Sequence, residues 1–174
     1  MSLLTLDVGC GRKKAEGAIG LDRSPLSDAD VLGELECFPW PFTDDSFDRV
    51  RCSHVIEHVH DVIGFMREIH RVCRKGARVE IDTPYFTSWQ SWADPTHVHH
   101  FTLRSFDYFI ENTPFGFRYT EPLFEIHERR VTFGSSIFDK VAKRIYRLSP
   151  TRYERRFSFM FPGRNLVIRL EAMK

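Results

Sequence analysis

An apolar, partly β-branched run over residues 3–8 stops at Gly9-Cys10-Gly11, and a second short run over residues 18–22 ends on Asp22. The first is a strand breaking into a glycine loop, because glycine tolerates the backbone angles of a tight turn and puts no Cβ in the way of a ligand. Only nine residues, Gly9 to Gly17, separate the two runs. A parallel crossover normally takes about a dozen residues or more and a full helix, so the first connecting helix is expected to be truncated or missing.

Further along, strands are expected over residues 29–32, after the Ser24-Pro25 turn, and over residues 47–52. Pro39-Trp40-Pro41 between them is a loop, since two prolines withdraw ladder donors. Residues 54–59 form a short helical turn. From Asp61, a good N-cap, Val62, Phe65, Met66, Ile69, Val72 and Cys73 follow the 3.6-residue period, with Gly76 as the C-terminal stop. Residues 79–83 form a fifth strand, cut by Pro84. Strand and helix therefore alternate, which predicts a mostly parallel sheet with helices on its faces and ligands beyond the carboxyl ends of the strands. Those ends carry Asp7, Asp22, Ser53 and Thr83.

Beyond Pro84 a long polar and aromatic segment holds Trp89, Trp92, Asp94, His97, His99, His100 and Phe101 without clear period, as a functional loop does. A helix capped by Ser105 is expected to reach Asn112, a strand to cover residues 119–133, and another residues 166–170. Between those strands Ile137, Val141, Ile145 and Leu148 recur at helical spacing beside Lys140, Lys143, Arg144 and Arg147, followed by residues 153–161.

The length, 174 residues, suits one domain, residues 1–84 forming a ligand-binding half and residues 85–174 the other half, with a basic helical insertion at about 135–162. Net charge is only +1, but from Val131 onward ten Lys and Arg face three acidic residues, leaving the first 130 residues at net −6. Without a base-reading motif, nucleic acid is not an expected partner. Cys10, Cys37, Cys52 and Cys73 lack C-x-x-C spacing and read as reduced thiols. No apolar run is long enough to span a membrane and no signal peptide is evident, so a cytoplasmic location is expected, with peripheral contact at the inner membrane face through the basic region.

Physically, bare main chain at Gly9 and Gly11 next to a carboxylate, Asp22, able to accept two ribose hydroxyls reads as a nucleoside site. The resemblance sharpens this. Leu6-Asp7-Val8-Gly9-Cys10-Gly11, Gly20-Leu21-Asp22, Pro39-Trp40-Pro41-Phe42, Ser53-His54-Val55-Ile56-Glu57-His58-Val59 and the segment from Glu68 to Gly76 resemble, in order and spacing, a class I S-adenosylmethionine-dependent methyltransferase of the small-molecule type. Asp94-Pro95-Thr96-His97 and Phe101-Thr102 through Phe106 resemble a bacterial branch often associated with surface-polysaccharide biosynthesis.

The resemblance implies a Rossmann-like, mostly parallel seven-stranded sheet with helices on both faces, the last strand antiparallel and a helical insertion before it. It implies S-adenosyl-L-methionine as cofactor. Gly9 and Gly11 would face its methionine part, with Cys10 between them; Asp7 would hold its amino group; Asp22, with Arg23 beside it, the ribose. Glu34 and Leu35 would meet the adenine edge, and Ser53 and His54 the methionyl ammonium. Lys13 stands where many members have a third glycine, and Lys75 and Ala77 replace a common Pro and second Gly. A helix that usually precedes the first strand and covers the cofactor has no counterpart before Leu3, so the pocket is expected to be unusually open, or covered by the tail or by a partner subunit of a homo-oligomer.

The implied reaction is direct in-line transfer of a methyl group to a small or lipid- or saccharide-linked acceptor, achieved mostly by positioning. His97 and His99, with His54 and His58 behind them, are the candidate general bases, because imidazole titrates near working pH. Two other classes compete. His54-x-x-Glu57-His58 has the H-x-x-E-H pattern of an inverted zinc peptidase, which needs both histidines on one helix; His97, His99, His100 and Asp94 could also ligate a metal. The methyltransferase reading assigns none. Alternatively, the chain is an inactive methyltransferase-like module that binds a membrane surface or partner through its basic tail.

Overall fold

The computed structural model describes residues 3–111 and 121–174. Seven strands form one sheet: β1 (Thr5–Val8), β2 (Ile19–Asp22), β3 (Val31–Leu32), β4 (Phe47–Ser53), β5 (Cys73–Pro84), β6 (Phe124–Val131) and β7 (Asn165–Ala172). Their order is β3-β2-β1-β4-β5-β7-β6. β1 to β5 pair in parallel and β7 runs antiparallel to both β5 and β6, as expected. The chain steps outward from β1 to β3 and then returns to β4 on the other side, so the crevice at the switch point opens at the carboxyl ends of β1 and β4.

The α-helices are α1 (Val62–Val72), α2 (Trp89–Ala93), α3 (Ile137–Leu148) and α4 (Pro150–Arg156), with 3-10 turns at Ile56–His58 and Ser105–Phe109. No helix joins β1 to β2. Residues 9–18 cross in turns through Gly9, Gly11 and Gly17, at φ +63°, +54° and +71°, and the Ala15 N–H donates to Asp7 Oδ2 at 2.7 Å. That carboxylate, one residue before the end of β1, pins the short crossover to the strand.

The two faces of the sheet are covered differently. Leu6, Val50, Val79 and Leu170 are register neighbours across four strands and belong to one buried core with Phe65, Met66 and Ile69 of α1 and Phe106 of the Ser105–Phe109 turn. The next row, Asp7, Arg51, Glu80, Arg169 and Glu128, alternates in sign across five strands. Arg51 pairs with Asp7 at 2.9 Å, and Arg169 with Glu80 at 3.2 Å and with Glu128 at 2.8 Å. A parallel sheet normally buries both faces under helices; here cross-strand charge pairs keep this row compatible with water.

Several boundaries move. Helix α1 ends at Val72, where the Cys73 N–H bonds the Ile69 carbonyl, and β5 begins at once. Gly76, expected as the helix stop, lies inside β5 at φ +76°, where the register jumps between the Phe47–Cys73 and Arg49–Arg78 pairs. It serves a bulge. The helix expected from Ser105 is a single 3-10 turn whose N-cap is Arg104, the Ser105 hydroxyl accepting instead from the Thr102 N–H. Strand β6 is shorter than expected at both ends; Asn112, Tyr119 and Thr120 lie outside the described residues. Within the loop after Pro84, Trp89–Ala93 is helical.

Candidate active site

The opening glycine loop folds back on β2. The Gly9 N–H donates to the Leu21 carbonyl at 2.7 Å, the Gly11 N–H to Asp22 Oδ2 at 2.8 Å and the Ser24 N–H to Asp22 Oδ1 at 2.8 Å. A Cβ on Gly9 would lie 2.3 Å from Val55 Cγ2, whereas one on Gly11 would meet nothing within 4 Å. Gly9 is therefore required by packing as well as by its positive φ; Gly11 has open space at its Cα, its N–H being spent on Asp22.

Beside this loop lies a cavity of about 220 Å³. Of the residues expected at a nucleoside site, Gly9, Asp22, Arg23, Glu34, Leu35 and His54 line it; Glu36, Val55, His58, Val59 and Thr96 complete the wall. By itself it is smaller than the roughly 300–1,000 Å³ typical of ligand pockets. A neighbouring cleft of about 530 Å³ shares His54 and His58 with it and is lined also by Glu57, Pro84, Trp89, Asp94 and His97. The two spaces adjoin at His54 and His58 beside the switch point.

Other expected residues fall outside both walls, Gly11, expected to face the cofactor, among them. The Asp7 carboxylate is buried and turned to the Arg51 guanidinium, at 3.0 and 2.9 Å, and to the Ala15 N–H; it braces the loop. Cys10 is buried, its thiol pushed up by that burial and by the Asp22 and Asp7 carboxylates. Ser53 ends β4, in register with Asp82, and lines neither space. Of the two leading candidate bases, His97 lines the cleft, while His99 turns away to the His60 carbonyl at 3.3 Å.

His54 follows β4 at φ +56°, a conformation seldom adopted outside glycine. Its N–H donates to the Asp82 carbonyl at 2.8 Å and its Nε2 accepts from Asn165 Nδ2 at 3.2 Å, which leaves Nδ1 facing Glu57 Oε1 at 3.3 Å. The Glu57 carboxylate raises the pKa of the imidazole against the opposing effect of burial. Burial in turn raises that of Asp82. Because His54 lies outside the Ile56–His58 turn, it and His58 do not share a helix, and the arrangement an inverted zinc peptidase needs is absent.

Residues 5–120, two thirds of the chain, match the family model of the methyltransferase domain. The chain belongs to the class I S-adenosylmethionine-dependent methyltransferase family. No curated protein matches it. Among solved structures, the methyltransferase resembles an S-adenosylmethionine-dependent methyltransferase from Archaeoglobus fulgidus at 17% identity, over 97% of this chain and 86% of that one, with a TM-score of 0.63. It resembles one from Mesorhizobium loti at 16% identity, over 98% and 91%, with a TM-score of 0.59. Phosphoethanolamine N-methyltransferase 2 of Haemonchus contortus, solved with S-adenosyl-L-methionine, aligns at 13% identity over 99% of this chain and 49% of its own length, with a TM-score of 0.62. At such identities the likeness is one of fold.

Proposed function

We propose that this methyltransferase binds S-adenosyl-L-methionine in the smaller cavity and transfers its methyl group in line to a small or saccharide- or lipid-linked acceptor entering by the larger cleft. The observation that carries the reading is the convergence of Gly9, Asp22, Glu34 and Leu35 on one cavity at the switch point of the sheet. The chemistry of these residues fits an adenosyl group. Each Asp22 oxygen accepts one backbone N–H and keeps a second lone pair for a ribose hydroxyl. Glu34 offers a carboxylate and Leu35 a backbone N–H for the adenine edge. When bound, the cofactor supplies an electrophilic methyl group on a positively charged sulfur, a charge better accommodated over the acidic first 130 residues, net −6, than over the basic tail.

The acceptor class is supported by α3 and α4. Ile137, Phe138 and Leu148 are 67%, 68% and 81% exposed, beside Lys140, Lys143, Arg144 and Arg147, and Phe159 and Met160 stand out just beyond α4. Apolar side chains rimmed by cations suit an anionic lipid surface, where a lipid-linked acceptor would be presented. Among the described residues no helix is long and apolar enough to cross a membrane, so contact would be peripheral. Calorimetric titration of the full chain with S-adenosylhomocysteine tests the cofactor assignment. Saturable binding is expected, weakened in Asp22→Ala by about 1–3 kcal/mol; absence of heat from the unmutated protein would overturn it.

A further inference from the structure

At the junction of the two spaces, Glu57, His58 and His97 bring one potential ligand atom each within 4.8 Å of the other two. Their hydrogen bonds show which atoms are left bare. His58 Nδ1 meets the Thr96 carbonyl at 3.2 Å and the Thr96 hydroxyl at 2.9 Å, and that hydroxyl spends its own proton on Asp94. His97 Nδ1 meets the Ser91 carbonyl at 3.1 Å. A carbonyl can only accept, so in both neutral rings the proton sits on Nδ1 and the lone pair on Nε2. Glu57 is 1% exposed. Its Oε2 accepts from the Thr83 hydroxyl at 2.9 Å, whereas Oε1 finds no hydrogen-bond partner and faces His54 Nδ1 at 3.3 Å. Asp94 Oδ2 adds a further acceptor 4.0 Å from His97 Nε2.

Acceptors thus gather where the side chains of this cluster offer one another no proton, and each imidazole is held through Nδ1 by a backbone carbonyl, the outer arrangement that orients metal-ligating histidines. We propose that Glu57, His58 and His97 bind one divalent transition-metal ion, with Asp94 in reach as a further carboxylate. Two imidazoles and a carboxylate favour zinc, cobalt or manganese over calcium. Bonds of about 2.1 Å around a tetrahedral ion require ligand spacings of about 3.4 Å, so ligand atoms that now lie within 4.8 Å of one another would draw together on binding.

Three protein ligands leave positions open toward the cleft, where an acceptor oxygen can coordinate. This role, unlike the binding itself, rests on the methyl-transfer reading. An acceptor hydroxyl held there gives its proton to solvent, its oxygen bonds the methyl carbon, and the carbon–sulfur bond breaks with its electron pair left on sulfur.

The test uses the full chain stripped with chelator, titrated with Mn²⁺ under electron paramagnetic resonance and with Zn²⁺ by calorimetry, alongside S-adenosylhomocysteine. One ion per chain is expected. His97→Ala and His58→Ala should each weaken it at least about 100-fold, the upper end of what losing an outer partner costs, while His127→Ala, on β6 beside Glu171 and outside both spaces, leaves it unchanged. Retained S-adenosylhomocysteine binding in His97→Ala, with His97→Gln as a second variant, shows that the fold survives. No stoichiometric uptake, or uptake that survives loss of both histidines, overturns the site. Nucleoside binding without metal uptake sinks this inference alone, whereas metal uptake without nucleoside binding sinks the methyl-transfer reading and leaves the metal site standing.

Discussion

Helices α1 and α3 are 11 and 12 residues long, both begin at a side chain that caps them, and both carry apolar residues at helical spacing. On α1, Phe65, Met66 and Ile69 are wholly buried; on α3 the buried residue is Ala142, while Ile137, Phe138 and Leu148 face solvent. The cause lies in what each helix connects. Helix α1 is the crossover between the adjacent parallel strands β4 and β5, so its apolar stripe closes over the core face of the sheet. Helix α3 joins the antiparallel β6 and β7 at the rim, tied down through Tyr146, whose hydroxyl donates to the Arg129 carbonyl at 3.4 Å and accepts from the Val131 N–H at 3.3 Å. Periodicity reports that a helix has an apolar face; topology decides whether this chain covers it.

The contrast is broken most directly by equal truncations. Phe65→Ala should cost about 3–5 kcal/mol of unfolding free energy, because the cavity it leaves is walled by the sheet. Phe138→Ala should change it by less than about 0.5 kcal/mol. Denaturant titration of both variants decides; comparable losses would mean that α3 packs as α1 does.

The caps sharpen the same comparison at smaller size. Asp61 accepts from the Gly64 N–H at 2.8 Å, and Ser136 and Asp139 form a reciprocal capping box. Asp61→Ala and Ser136→Ala should each cost their own helix about 0.5–2 kcal/mol. For α1 that loss should appear in global unfolding. For α3 it should appear as faster amide exchange confined to residues 137–148, the mark of a locally opening element.

Features that rest on neighbouring residues could be read in advance. Glycines where a strand must turn, a carboxylate at the end of the next strand and an apolar stripe behind an N-cap each follow from a few adjacent positions, and Gly9, Asp22, Glu34 and Leu35 do share one cavity. What depends on strand order could not. Asp7 has the same local setting as a ligand-binding acid, but β4 lies beside β1 and brings Arg51 against it. The charged row through Arg51, Glu80, Arg169 and Glu128 is likewise drawn from distant segments. His97 and His99 sit two apart in an aperiodic loop, so nothing local distinguishes the ring that enters the cleft from the one that leaves it. Gly76 was read as a helix stop because a bulge makes the same demand for positive φ.

A pH-dependent difference follows from His70 on α1, since α3 carries no histidine. Burial against Phe124 holds this imidazole below its ordinary value, only partly countered by its bond to the Met173 carbonyl. The unfolded chain therefore takes up a proton at higher pH than the folded one. The folded state keeps its full stability above the unfolded value, about 6.5, and loses it as pH falls through that value toward the depressed one. Comparing urea midpoints of His70→Gln and the unmutated protein from about pH 7.5 to about pH 5 should show a shallower decline in the variant; parallel curves would remove His70 from the account.

The smallest expected effect on stability is paired with the largest difference in function. Replacing Ile137 and Phe138 with serine removes two side chains that contribute little to the core, so the unfolding midpoint should stay within about 0.5 kcal/mol of the unmutated protein. If these residues meet a lipid surface, the same double variant should lose co-sedimentation with vesicles rich in phosphatidylglycerol. Each cation near such a surface contributes about 1 kcal/mol, so reversing Lys140 and Lys143 to glutamate should release the protein as well, and added salt should mimic that release for the unmutated chain. Vesicle binding that persists in the serine variant would assign the exposed face another occupant. A large loss of stability would show instead that α3 is covered in solution, and the distinction from α1 would vanish.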